Sequence, residues 1–165
     1  MGKPPHVSKL ACYAVFHQEN FMAYWIFKCN PQGYQIKDRL AGSEGRITWK
    51  ATRYRDEIKS GDVAFIWLTG PDRGICAVMA VESAPRTMLE IPTEPPYHTT
   101  PENMEDWRTE GKLTYRGPRI SHEQLRKEPD LENLSVFHGY QQTTNFRVTD
   151  AEGKILMRLI ASHQA

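Results

Sequence analysis

Tyr24-Trp25-Ile26-Phe27-Lys28-Cys29-Asn30-Pro31 is the stretch from which the rest of the chain can be read. Residues Tyr24 to Cys29 are rich in aromatic and β-branched side chains and stop at an Asn-Pro pair, the pattern of a strand that runs into a turn. Ile47-Thr48-Trp49 and Phe65-Ile66-Trp67 repeat the arrangement, each placing an indole at the end of an extended apolar run. Rings held at strand ends, beside backbone made irregular by proline and glycine, offer stacking faces and free N–H and C=O groups to one flat heterocycle. This is binding chemistry rather than hydrolytic chemistry.

Working outward, Gly33 to Leu40 has apolar positions at Tyr34, Ile36 and Leu40 and is predicted as a short helix ended by Gly42. Gly45 to Trp49 reads as brief and extended. Thr52 is an N-cap for a turn or two of helix through Ile58, with Gly61 just past its end. Asp62 to Leu68 and Gly74 to Val81 are apolar runs joined by Thr69-Gly70-Pro71-Asp72-Arg73, a hairpin buried on both faces. Ala84 to Met104 carries five prolines, which denies it regular structure and makes it a long surface excursion of the functional or mobile kind. Lys112 to Ile120 alternates as a half-buried strand interrupted at Gly117-Pro118. Ser121 with Gln124 and Thr149 with Glu152 both have capping-box spacing, the second before a closing amphipathic helix that Gly153 weakens. Strands separated by short helices around a central antiparallel hairpin predict an α+β fold: a small mixed, mainly antiparallel β-barrel surrounded by short helices.

A chain of 165 residues makes one ordinary domain, long enough to bury a core without metals or disulfides. Residues 22–165 are read as that domain. Residues 1–21 are read as a leader, either loose or upstream of the true start at Met22; the apolar run Leu10 to Phe16 is too short to cross a bilayer and lacks a cleavage site. A formal charge of +1 means that bulk electrostatics will not drag the protein onto nucleic acid, so any phosphate contact comes from a local patch. Cys12, Cys29 and Cys76 are odd in number and far apart, which fits neither a disulfide framework nor a metal knuckle. A reducing, intracellular setting follows, cytoplasmic or in the nucleoid or nucleus. The six histidines are dispersed without metal-ligand spacing, there is no Gly-x-Ser-x-Gly elbow, and Gly42-Ser43-Glu44-Gly45-Arg46 lacks the length and lysine of a phosphate loop. Neither catalysis, nor a cofactor, nor a metal is expected, although a triad assembled in space stays open.

The chain also resembles the EVE domain, a member of the PUA-like superfamily related to the YTH domains that recognise N6-methyladenine in RNA. The resemblance is carried by Tyr24 to Pro31, Ile47-Thr48-Trp49, Arg53 to Asp62, Phe65-Ile66-Trp67, Gly74-Ile75 and Gln142-Thr143-Thr144-Asn145-Phe146, with Thr143 where the family usually has glycine. It spans nearly everything from Ala23 onward and implies the same barrel by a separate route.

Site residues follow from both sources. Trp49 is the first choice. Its surroundings of Thr48 and basic residues are unusual for a core tryptophan, yet ordinary packing would account for it, and it is the resemblance that implies one wall of a cage around a modified base. Trp67 ends a buried strand and reads equally as core or pocket, and the face of Trp25 stays open. Trp107, at the end of the proline-rich loop, is a lid or a loop anchor; YTH relatives carry a cage ring there. Lys28, Cys29 and Asn30 form the turn that borders the pocket in the family, Asn30 reading alternatively as an Asx-turn and Cys29 as a small wall rather than a nucleophile. Gln142, Thr144 and Asn145 supply polar edges or stabilise a turn. Arg46, Lys50, Arg53, Arg55 and Lys59 cluster around Trp49 and would hold phosphates, the alternative being a solvated face. The expected function is capture of a flipped or single-stranded modified base. The resemblance implies 5-methylcytosine or a derivative in DNA as the guest. A separate effector protein is a further expected partner, and no membrane is expected. The alternatives are an RNA-binding or RNA-processing module and a small-molecule enzyme.

Overall fold

In the computed structural model, which describes residues 2, 22–100, 104–139 and 143–164, β1 (Tyr24–Cys29) runs between two neighbours. It is parallel to β3 (Val63–Leu68) and antiparallel to β8 (Asn145–Val148). The sheet continues from β3 through β4 (Gly74–Val81) and β6 (Asp106–Tyr115) to β2 (Arg46–Lys50), all antiparallel, with β5 (Arg86–Met88) added to β6 and β7 (Ile120–Ser121) to β4. The parallel pair needs a crossover, and α1 (Ile36–Ala41), β2 and the turns after it supply one. The mixed, mainly antiparallel α+β architecture is as expected; closure is not. The hydrogen-bonded path ends at β2 on one side and β8 on the other, and among the described residues no ladder joins them into a barrel.

Strand alternation divides the core in two. Trp25, Phe27, Ala64, Ile66, Ala77, Met79 and Ile47 fill one face, with Ile36 of α1 beside them. Tyr24, Ile26, Phe65, Trp67, Ile75 and Val78 fill the other. That second face is roofed by α2 (His122–Arg126), by Leu131 and Leu134, by α3 (Ser135–His138) and by the long α4 (Asp150–Gln164), whose Ile155, Leu156 and Ile160 are buried. Both capping boxes form. Ser121 Oγ accepts from Gln124 N at 3.1 Å while Gln124 Oε1 accepts from Ser121 N at 2.8 Å, and Thr149 and Glu152 make the same exchange at 3.2 and 3.0 Å. Gly153, a weakness for helix propensity, has a packing reason: a β-carbon there would lie 2.2 Å from the Tyr24 ring.

Three other expectations are corrected. The helix through Ile58 does not form; residues 53–57 are turns, with Tyr54 at φ 60°, and the segment is tied down instead by Asp62, whose carboxylate accepts from Ala23 N, Lys59 N and Trp25 Nε1 at 2.9–3.1 Å. The strand expected from Lys112 begins at Asp106, so Trp107 belongs to it. The proline-rich segment is no mere surface excursion. It contains β5 and a 3-10 turn (Pro95–Tyr97), and backbone bonds Gln35 N to Tyr97 O and Thr99 N to Gly33 O stitch it to the chain ahead of α1. The leader at residues 1–21, apart from Gly2, lies outside the described residues. Among the described residues no helix is long and apolar enough to cross a membrane.

Candidate functional site

A cavity of about 280 Å³ opens where the end of β1, the end of β2 and the chain just ahead of β8 converge, at the seam the sheet leaves unclosed. Lys28, Cys29 and Asn30 come from β1 and its turn, Thr48, Trp49 and Lys50 from β2, and Thr144 from the approach to β8. Seven sequence-predicted residues are thereby brought together from positions far apart in the chain. Two interactions hold this corner. Lys28 N donates to Thr144 O at 2.8 Å, and the Asn145 side chain crosses the seam to donate to Lys50 O at 3.0 Å. Asn145 itself is fully buried and is a clasp behind the cavity rather than part of its lining.

Trp49 is 8% exposed; it belongs to the core and also borders the cavity, its ring meeting Tyr34 edge-on at 5.8 Å. Tyr34 in turn lies against the His98 ring at 4.9 Å. Asn30 Oδ1 accepts from Gln32 N at 3.0 Å, an Asx-turn, which leaves its amide at the rim. The Cys29 thiol is pushed well above its ordinary range by burial and, secondarily, by Cys76, so it is a neutral wall at physiological pH. Lys28 is pulled below the usual lysine range by burial.

The other expected residues lie elsewhere. Trp67 is on the opposite face of β3, edge-on to His122 and Phe137, and does not line the cavity; the period of two along the strand separates it from the Trp49 side. Trp107 precedes Arg108 on β6, and while Arg108 lines the cavity, the Trp107 ring carries the Arg55 guanidinium at 4.5 Å. The basic cluster is dispersed. Arg46 begins β2, at the end away from the cavity, and pairs with Glu110 at 3.8 Å; Arg53 lies over Tyr54 and reaches Thr143; Lys59 is exposed beyond the turns. Lys50 alone of that group lines the cavity, paired with Asp106 at 3.0 Å. Gln142 lies outside the described residues.

Sequence reasoning missed the back wall: Tyr34, Glu90, Glu94, His98 and Arg108. Glu94 is 1% exposed, and its oxygens are engaged by Arg39 Nε and Nη2 at 3.0 and 2.9 Å and by the Tyr34 hydroxyl. Burial first, and the neighbouring carboxylate second, push the Tyr34 phenol up, so it stays a donor. Removing either member of the buried Arg39–Glu94 pair would strand the other's charge. Glu90 meets His98 Nε2 at 2.9 Å and Arg108 Nη1 at 3.2 Å. Thr48 Oγ1 and Arg108 Nε are buried without a hydrogen-bond partner among the described residues. The one signal for this wall was the length of the proline-rich loop, since loops that long are commonly functional. Among the described residues no group of three or more His, Cys, Asp or Glu side chains is placed to hold a metal ion.

Comparison with known proteins gives the family and the fold. Residues 23–159 match the EVE domain family. No curated protein matches the chain. Among solved structures, a hypothetical protein from Leishmania major superposes with a TM-score of 0.63 at 16% identity, covering 88% of this chain and 98% of its own. A protein from Pseudomonas syringae gives 0.57 at 20% identity, covering 83% and 99%. A mutant ASCH protein from Zymomonas mobilis gives 0.51 at 14% identity, covering 83% and 96%. At such identities the likeness is one of fold.

Proposed function

The chain belongs to the EVE domain family, and from that premise we propose that its cavity binds nucleic acid by taking in one base, flipped from a duplex or presented in a single strand, and that this base carries a modification. The single observation behind the reading is the cavity at the β2–β8 seam. At about 280 Å³ it has room for one heterocycle, and it joins aromatic surface from Trp49 and Tyr34 to polar side chains of Asn30, Thr48, Glu90 and Arg108.

Energetics set what the site must do. Flipping costs a few kcal/mol, whereas stacking on an aromatic side chain returns about 1 to 3 kcal/mol per base. Edge hydrogen bonds from the back wall therefore carry a large part of the affinity. Discrimination for a methyl group is worth only about 0.8 kcal/mol, roughly fourfold, from burial alone. A larger preference requires that the unmodified base leave a polar group unpaired or a hollow unfilled. The family resemblance makes 5-methylcytosine or a derivative in DNA the first guest to try. Binding without turnover is the proposed outcome, in keeping with a neutral Cys29 thiol, and any action on nucleic acid would come from a separate effector protein.

The test is titration of short single- and double-stranded oligonucleotides, with and without one 5-methylcytosine, against wild type and Trp49→Ala. The modified strand is expected to bind more tightly, and the variant to lose at least tenfold in affinity while remaining folded by circular dichroism. Equal affinity for modified and plain strands overturns the modified-base reading, and an unimpaired variant overturns the role given to Trp49.

A second reading, a site for a free base or nucleoside, is favoured by the absence of Arg46, Arg53, Arg55 and Lys59 from the cavity lining. It predicts that affinity depends little on salt, because phosphate contacts are the strongly screened ones, and that a nucleoside alone competes fully with the oligonucleotide.

A further inference from the structure

Trp107 and Arg55 form a pair outside the cavity lining. Trp107 is half-buried on β6, its indole N–H makes no hydrogen bond among the described residues, and the Arg55 guanidinium lies 4.5 Å from the centre of its ring. Arg55 is exposed, and that ring is its one partner among the described residues. Carboxylates close by in the chain are taken, Asp106 by Lys50 at 3.0 Å and Glu57 by Arg147 at 2.6 Å, and Asp56 makes no ion pair among the described residues. The result is a flat cationic surface with one face on the indole and the other toward solvent. The neighbouring ring differs. Tyr54 is met by Trp25 at 5.3 Å, by Arg53 at 4.9 Å and by Arg147 at 5.1 Å, so its surface is already occupied by the protein.

The pair stands beside the cavity mouth. Lys50 and Arg108 line the cavity, Ala51 and Trp107 are their chain neighbours, and Ala51 N donates to Trp107 O at 2.9 Å. Trp107 is thus one residue beyond the lining, about 3.3 Å along the strand. A nucleic-acid chain that places one base in the cavity brings the next base to this rim. Indoles and guanidinium planes both accept a stacked base, whatever its identity. In a duplex the neighbouring base keeps its own pair and stack, so a surface of this kind serves a single strand.

We propose that Trp107, with Arg55 lying on it, is a second binding site: a stacking platform for the base next to the one held in the cavity, which makes the partner single-stranded at that neighbour. The inference rests on the base-capture reading above and adds to it a second subsite and the strandedness of the partner. A stacked base contributes about 5- to 150-fold in affinity. The platform therefore supplies binding that the cavity alone lacks, without reading sequence.

The test is an abasic scan. Wild-type protein is titrated with a single strand carrying one 5-methylcytosine, and with strands in which the 5-methylcytosine or the base on either side of it is replaced by an abasic residue that keeps every phosphate. Removing one of the two flanking bases is expected to weaken binding about fivefold or more. Trp107→Ala, shown to be folded by circular dichroism, should bind the intact strand correspondingly more weakly and lose nothing further when that flanking base is removed. Arg55→Ala, at an exposed side chain, is the second variant and should shrink the loss at the same flank. Sensitivity confined to the 5-methylcytosine position overturns the platform and leaves base capture standing, as does equally tight binding of the matching duplex. Variants that weaken intact and abasic-flanked strands equally also overturn it, because their residues then hold phosphate or shape rather than a base. Binding of no strand, or insensitivity at the 5-methylcytosine itself, overturns base capture and this inference together.

Discussion

Trp49 and Trp67 are each the penultimate residue of their strands, yet one stands at an open corner of the molecule and the other inside a sealed layer. On the Trp67 side, α4 and the segment through Leu125, Leu131 and Leu134 form a roof against the sheet, and the indole is met edge-on by His122 and Phe137. On the Trp49 side, the sheet curls toward itself without closing, and the gap is walled by Tyr34 and by Glu90 and Glu94 from the proline-rich segment. The lesson is that the role of a large ring is set by what the chain brings opposite it. A helix roof turns an indole into packing; an unclosed seam leaves one with a hollow beside it.

The largest effect that would break this comparison is expected at Trp67. Trp67→Ala should cost about 3 to 5 kcal/mol of stability, read as a shift of the denaturation midpoint, because a buried indole leaves a cavity that the roof cannot fill. Its affinity for the oligonucleotide, corrected for the folded fraction, should match wild type. A loss as large as that of Trp49→Ala would mean that the two faces are not separate in function.

A smaller effect sharpens the comparison at the seam. Asn145→Ala removes the side-chain bond to Lys50 O and leaves a backbone acceptor unpaired, at a cost of about 1 to 3 kcal/mol. Because that bond spans the two free edges beside the cavity, ligand affinity should fall about tenfold as well, measured on protein shown to be folded. Unchanged affinity would show that the cavity keeps its width without the clasp.

The smallest effect concerns the two described thiols, both on the Trp49 side. Burial pushes Cys76 up to about 12 and Cys29 further, whereas an unfolded thiol ionises near about 8.5. The unfolded chain thus releases these protons first as pH rises. The contribution of the thiols to stability is complete below about pH 8.5 and declines above it, and denaturation midpoints measured from pH 7 to 10 should fall at the alkaline end. Replacing both cysteines by alanine should flatten that decline.

Much of the fold was legible in the sequence because it depends on local pattern. The β1 run ended by Asn30-Pro31, the hairpin across Thr69 to Arg73, and the two capping boxes were all read from residue type and spacing, which are the variables that fix strand ends and helix starts. The turns at residues 53–57 were misread as helix because Tyr54 takes a positive φ that no propensity scale anticipates, and the segment after it is tied to Asp62 through Lys59 N. Half of the site was legible for a similar reason. Lys28 to Asn30 and Thr48 to Lys50 flank strand ends, where side chains meet a cavity, whereas Glu90, Glu94, His98 and Arg108 acquire their meaning only from partners distant in the chain. Glu94 finds Arg39 across 55 positions.

By itself, then, the sequence determined which segments are strands, where they stop, and that rings stand at their ends, because these follow from backbone geometry and the period-two burial of side chains. Tertiary structure alone decided which ring faces a hollow, that the sheet stays open between β2 and β8, and that a proline-rich loop delivers two buried carboxylates to the back of the cavity. Those outcomes depend on how eight strands curl and which distant charges must neutralise one another once water is excluded. Neither quantity is a property of any single stretch of chain.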